Sequence, residues 1–149
     1  MDAVVFDTLM LALEDGAVPL PASGPILVLN AEPGPWLMQL PKDQLVCRTS
    51  FKPNHDALKA AGFNILPVDS VDLPQAMLTI VVPPRQRDQA RALYARALLA
   101  APEGGYVLAS LPNTLGGKTG EKQLVQIAGE ADSLSKHKCR AYWTCKVDA

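Results

Sequence analysis

The segment Gly117-Lys118-Thr119 has the residue types of a phosphate-binding loop, between an apolar run and a predicted helix. Such a loop follows the pattern G-x-x-x-x-G-K-[ST], in which backbone N–H groups and the lysine hold the phosphates. In this register the first glycine falls on Pro112, which has no N–H and cannot take the positive φ of glycine. The sequence therefore favours a strand-to-helix turn, in which Gly116 and Gly117 permit the turn and Thr119 caps the helix.

A second motif stands in incomplete form at Val82-Pro83-Pro84-Arg85. Amino-group methyltransferases place a polar residue before such a diproline, where it accepts hydrogen bonds from the target amine, and an aromatic residue after it. The side chain of Val82 cannot accept a hydrogen bond, and Arg85 replaces the aromatic residue. We therefore expect no catalytic residue in this motif.

The ends of the first two predicted strands lack the groups that usually hold a cofactor. Only Gly34, between two prolines, follows the first strand, whereas a cofactor-binding turn has several closely spaced glycines. Arg48 and Thr49 end the second strand, where an acidic residue would hold ribose hydroxyls. We therefore expect no cofactor-binding residue in this chain.

Composition narrows the remaining functions. The 149 residues suit one domain, and 48% apolar residues can form a buried core. A net charge of −1 argues against a strongly electrostatic nucleic-acid binder. Three cysteines without a C-x-x-C pair, and two histidines, predict reduced thiols and no metal site.

The N-terminus begins acidic and does not resemble a signal peptide. No apolar run approaches the roughly 18 residues of a membrane helix. We therefore expect a cytoplasmic protein with no membrane partner.

Strand and helix patterns alternate from residue 26 onward. Apolar runs predict strands, and helical spacing of apolar residues predicts helices. The predicted strands are 26–31, 45–51, 75–84, 105–112 and 138–147, and the predicted helices are 2–15, 52–63, 85–105 and 119–131. Gly16 and Gly62 end two of these helices, and Asn54 is the predicted N-cap of the second. This alternation predicts an α/β, Rossmann-like fold with a mostly parallel sheet and helices on both faces.

In such a fold ligands bind beyond the carboxyl ends of the strands. Four cations lie at or just after these ends, and they are our candidates for contacts with RNA: Arg85, Arg87, Lys118 and Lys122.

The segment 106–147 carries a family resemblance. It has a strand, then Asn113, Gly116 and Lys118, then a helix with an early Glu121. A basic link at Lys138 and a last strand that carries Cys139 complete the pattern. In this it resembles the N-terminal half of bacterial small-subunit ribosomal RNA guanine-N2 methyltransferases. That family has two methyltransferase-like domains in tandem, of which the C-terminal one binds S-adenosylmethionine and catalyses.

The resemblance implies that residues 1–149 form a single degenerate methyltransferase-like domain, the N-terminal half of a longer chain. It would bind no cofactor itself, pack against the catalytic domain and help to hold ribosomal RNA. Two alternatives stay open: an active S-adenosylmethionine-dependent methyltransferase with an unusual site, and a nucleotide-binding protein that uses Gly117-Lys118-Thr119.

Overall fold

The computed structural model of the chain describes residues 3–115 and 117–146. These residues form four α-helices and six strands. The helices are α1 (Ala3–Glu14), α2 (Lys52–Ala60), α3 (Arg87–Ala100) and α4 (Gly117–Ala128). The strands are β1 (Ile26–Leu29), β2 (Leu45–Arg48), β3 (Leu78–Val81), β4 (Tyr106–Pro112), β5 (Asp132–Lys136) and β6 (Cys139–Cys145). Two 3-10 helices, Pro35–Gln39 and Asn113–Leu115, follow β1 and β4.

The six strands form one sheet in the order β2-β1-β3-β4-β6-β5. Strands β1 to β4 are parallel, whereas β6 runs antiparallel to both of its neighbours. The chain goes from β1 to β2 on one side and then to β3 on the other, so the order reverses between β1 and β3. In open α/β sheets this reversal creates the crevice in which ligands bind.

Helices cover both faces of the sheet, as the sequence predicts. Helices α1 and α2 pack on one face, where Ile26 and Val28 of β1 join their core. Helices α3 and α4 pack on the other face, where Leu27 and Leu29 point. Side chains alternate along a strand, so the continuous apolar run of β1 supplies both cores at once.

Two helix starts differ from prediction. The N-cap of α2 is Phe51 and not Asn54, because Pro53 suits the first helical turn and lets the helix begin earlier. Helix α4 begins at Gly117, so Thr119 lies inside its first turn and does not cap it. Gly116 lies outside the described residues. The predicted stops are confirmed: Gly16 and Gly62 have φ of 83° and 85°, just beyond the ends of α1 and α2.

The sequence did not predict β5. Its residues are polar and mostly exposed, and Leu134 is its one large apolar side chain. It is an edge strand held by its antiparallel pairing with β6, and such a strand lacks an apolar pattern because it buries little.

The three cysteines all lie within the described residues, and all three are free thiols in the structure. Among residues 3–115 and 117–146, no helix is long and apolar enough to cross a membrane.

Candidate functional site

The carboxyl ends of β1 and β3 meet at the crevice and are hydrogen-bonded to each other. Asn30, directly after β1, donates its side-chain N–H to the carbonyl oxygen of Val82 at 2.8 Å. The backbone N–H of Val82 donates to the carbonyl of Leu29 at 3.0 Å. Asn30 has φ of 56°, a left-handed conformation that asparagine tolerates better than most residues, and this directs its side chain toward β3.

The end of β2 is also occupied by internal bonds. The N–H of Ala31 donates to the carbonyl of Arg48 at 3.1 Å. The guanidinium of Arg48 donates through Nε and Nη2 to the carbonyl of Ser70, at 3.3 and 3.0 Å. Partial burial and the nearby charge of Arg96 lower the pKa of Arg48. The end of β2 thus carries a guanidinium group that is held by the backbone carbonyl of Ser70.

The segment after β1 packs inward as a 3-10 helix. Trp36 is 4% exposed and stacks on Phe6 of α1, with ring centroids 4.4 Å apart. A Cβ on Gly34 would lie 3.1 Å from the Trp36 ring, so this glycine lets the indole fold back over the backbone. Trp143 is buried too, at 7% exposed, so both tryptophans belong to the core.

Arg85 and Arg87 line one pocket at the carboxyl edge of the sheet. The pocket has a volume of about 290 Å³ and lies between the start of α3, the end of β4 and the start of α4. Both arginines are exposed. Thr119 and Gln123 line the opposite wall, and Gln123 also donates to the carbonyl of Arg87 at 3.1 Å. Two guanidinium groups over a polar wall suit a phosphate group.

Lys118 and Lys122 lie on another side of α4. They are exposed, one helical turn apart, and line a second pocket of about 410 Å³. Arg140 of β6 also lines it, and its Nη1 donates to Glu121 at 2.5 Å. The structure therefore places the four predicted cations in two neighbouring pockets rather than in one patch.

Gly120 shapes the helix between these pockets. A Cβ there would overlap the hydroxyl of Tyr142 and lie 2.7 Å from the ring carbon that bears it. That hydroxyl is buried and forms a 2.5 Å hydrogen bond with the hydroxyl of Tyr94 on α3. The glycine thus allows α4 to pack directly against the tyrosine pair. Burial raises the pKa of Tyr94 to about 12 and raises the pKa of Tyr142 well above its usual value.

Among residues 3–115 and 117–146, no group of three or more His, Cys, Asp or Glu side chains could hold a metal ion.

The architecture is shared with solved methyltransferases. The 16S rRNA guanine-N2 methyltransferase RsmC of T. thermophilus, solved with AdoMet and guanosine, superimposes with a TM-score of 0.76 at 14% identity. The N-methyltransferase NodS of Bradyrhizobium japonicum gives 0.66 at 13%, and TrmN of Thermus thermophilus gives 0.59 at 14%. The chain has a methyltransferase fold. No protein-family model and no curated protein match it in sequence.

The lengths of these methyltransferases differ. The alignments cover 97% of this chain with RsmC, 99% with NodS and 97% with TrmN. They cover 39% of the RsmC chain, 100% of NodS and 48% of TrmN. The chain thus spans well under two thirds of the two longer proteins.

The sequence places ligand binding beyond the carboxyl ends of the strands, but it did not predict the hydrogen bond that joins Asn30 to Val82 there. The signal was an asparagine directly after a buried strand, a residue type suited to left-handed φ. It also missed Arg140, which gave no signal because an isolated arginine in a strand has no motif.

Proposed function

We propose that this chain is a methyltransferase-like domain of a ribosomal RNA guanine-N2 methyltransferase. It binds no methyl donor itself, supports a catalytic domain of the same polypeptide and contributes to RNA recognition. We expect it to act in the cytoplasm. The resemblance of residues 106–147 to the N-terminal half of that family supports this proposal, as does the likeness of the fold to RsmC.

The observation that carries the proposal is the hydrogen bond from Asn30 to Val82. In a methyltransferase of the Asn-Pro-Pro-aromatic type, the polar side chain before the diproline accepts a hydrogen bond from the target amine. Here that side chain is a valine 2% exposed, and its carbonyl already accepts a hydrogen bond from within the protein. The valine side chain supplies no acceptor, and its carbonyl oxygen has one of its two lone pairs already engaged, so the position lacks the side-chain acceptor of the motif.

The residues around the crevice also fit a methyl donor poorly. Arg48 stands where an acidic side chain would hold the ribose hydroxyls, and its guanidinium is bonded to Ser70. A cation offers donors only, so it cannot accept from the ribose hydroxyls as a carboxylate does. Trp36 and Ala31, 4% and 0% exposed, pack into the core where a glycine-rich turn would approach the donor.

The proposed contribution to RNA binding rests on the two pockets at the carboxyl edge. Arg85 and Arg87 offer planar guanidinium groups that match phosphate oxygens, and Lys118 and Lys122 offer point charges on the other side of α4. Because the net charge of the chain is −1, any attraction to RNA must come from a local group of cations and not from the charge of the whole chain.

Titration calorimetry of the 149-residue chain with S-adenosylmethionine tests the proposal. We expect no binding heat up to millimolar donor, whereas T. thermophilus RsmC, which was solved with AdoMet, serves as the positive control. Micromolar binding by this chain would overturn the proposed function. The same titration with ATP or GTP and magnesium tests whether Gly117-Lys118-Thr119 binds a nucleotide. We expect no binding heat there either.

A further inference from the structure

An apolar groove lies at the amino edge of the sheet, opposite the cationic pockets. Helices α3 and α4 run from the carboxyl edge to this edge, and β6 ends here because Cys145 pairs with Tyr106 at the start of β4. The groove has a volume of about 440 Å³. It is lined by the last turns of both helices and the end of β6: Ala95, Leu98, Leu99, Ile127, Ala128, Cys145 and Lys146.

Leu99 is the most exposed large apolar side chain among the described residues, at 82%. It follows Leu98 at the end of α3, and Ile127 faces the pair from α4. Apolar residues scattered singly on a surface are ordinary, but here several line one concave site. Burying this leucine would remove a large apolar surface from water, which favours docking of an apolar partner.

The last described residue is fixed at the rim of this groove. The N–H of Lys146 donates to the carbonyl of Gly105, and its carbonyl accepts from Gly104, both at 2.8 Å. The ammonium of Lys146 donates to the carbonyl of Ala101 at 2.8 Å, directly after α3. Any polypeptide that continues the chain starts within a few residues of the groove.

We propose that this groove is the docking surface for the catalytic domain of the same polypeptide, which inserts apolar side chains between the ends of α3 and α4. The inference rests on the proposed function. It adds the surface through which this domain would contact the catalytic domain. A domain tethered beside its site is present at an effective concentration in the millimolar range, so a small apolar groove suffices to hold it.

The chemistry of the groove favours aliphatic side chains over an acidic partner. The one cation among its described lining residues, Lys146, already donates to Ala101, and the rest of the lining consists of Ala, Leu, Ile and Cys side chains. Docking at this edge also leaves Arg85, Arg87, Lys118 and Lys122 uncovered at the opposite edge, where RNA would approach.

Alkylation of Cys145 tests the proposal. Cys47 and Cys139 are 0% and 2% exposed, so Cys145 in the groove is the thiol that a maleimide reaches. We expect alkylation of Cys145, followed by mass spectrometry of its peptide, to be at least tenfold slower in the polypeptide of the complete natural reading frame than in the 149-residue chain. Leu99→Asp should restore fast alkylation in the longer polypeptide.

Met38→Asp is the matched control, because Met38 is 68% exposed and lies in the 3-10 helix at the carboxyl edge. It should leave Cys145 protected. Hydrogen exchange supplies a second readout that needs no variant. Docking should slow the exchange of the backbone amides in the last turn of α3 in the longer polypeptide relative to the 149-residue chain. Because Leu99 is exposed, its substitution removes little from the core, and circular dichroism verifies the fold of the variant.

Three results would overturn the inference. One is a reading frame that stops at Ala149. Another is equal alkylation and exchange in the two polypeptides. The third is a dimer of the 149-residue chain that Leu99→Asp dissociates, which would assign the groove to a second copy. These outcomes are distinct from failure of the proposed function, which calorimetry with S-adenosylmethionine reports independently of the groove.

Discussion

The side-chain amide of Asn30 donates to the carbonyl oxygen of Val82 at 2.8 Å, and this bond joins the two strand ends between which the strand order reverses. In other doubly wound proteins that reversal opens a crevice for a ligand. Here the two strand ends at the crevice edge are hydrogen-bonded to each other, and this bond should contribute to the stability of the fold.

Replacement of Asn30 by aspartate tests how much this bond stabilises the fold. The carboxylate keeps nearly the same shape and tolerates left-handed φ, but it cannot donate to the Val82 carbonyl and faces it with negative charge. We expect the free energy of unfolding in urea to fall by about 1–3 kcal/mol at pH 7. At low pH the introduced carboxyl group is protonated and can donate again, so the difference from the native chain should narrow.

Asn30→Gly separates the contribution of the side-chain hydrogen bond from any strain of the left-handed backbone at this position. Glycine accepts φ of 56° without strain, so its cost should reflect mainly the lost hydrogen bond and the greater freedom of the unfolded chain. If Asn30→Asp were as stable as the native protein at pH 7, the hydrogen bond from Asn30 to Val82 would not contribute to the stability of the fold.

Gly120→Ala should destabilise the protein, although alanine normally stabilises a helix by up to about 1 kcal/mol over glycine. The added Cβ would overlap the Tyr142 hydroxyl and lie 2.7 Å from its ring carbon, so α4 must move away from the core. We expect a net loss of about 1–3 kcal/mol in urea unfolding.

Tyr142→Phe supplies the control for Gly120→Ala. It removes the hydroxyl that meets the new Cβ, so the two substitutions together should cost less than the sum of their separate effects. Simple additivity would show that Gly120 and Tyr142 do not constrain each other.

The sequence predicted the elements whose apolar pattern the fold uses and missed those held by other forces. Strand β1 was predictable because its four residues are buried on both faces. Strand β5 was not, because its pairing with β6 depends on backbone hydrogen bonds and not on side-chain burial. The sequence could place the cationic candidates at or just after the strand ends, but not their division between two pockets, which depends on the rotation of α4 about its axis. That rotation turns Gly120 toward Tyr142, a contact between residues far apart in sequence that no local pattern predicts.

Substitution of single cations should distinguish residues that contact RNA from residues that only add to the overall charge. If Arg85 meets a phosphate, Arg85→Ala in the complete natural polypeptide should weaken binding to small-subunit ribosomal RNA and reduce the salt slope by about 0.7. We expect Arg87→Ala to weaken RNA binding and reduce the salt slope in the same way. Lys59→Ala, which removes an exposed charge from α2 on the other face of the sheet, is the control. Equal RNA affinity in all three variants would count against the pocket.

Lys118 and Lys122 form an independent test because they line the second pocket. If RNA spans both sides of α4, Lys118→Ala and Lys122→Ala should each lower affinity by an amount that adds to the effect of Arg85→Ala. If RNA enters only the first pocket, these two variants should match the Lys59→Ala control in filter-binding titrations over a range of salt.

The buried tyrosine pair predicts a loss of stability in alkali. Burial raises the pKa of Tyr94 to about 12 and raises the pKa of Tyr142 as well, whereas an unfolded tyrosine titrates near pH 10. The folded state therefore retains protons that the unfolded state releases, so this stabilisation is complete below about pH 10 and is lost as pH rises toward about 12. Urea unfolding between about pH 8 and 11.5 should show this decline, and it should be shallower in the Tyr94→Phe/Tyr142→Phe double variant. Equal slopes for the two proteins would mean that the pair is not held neutral by the fold.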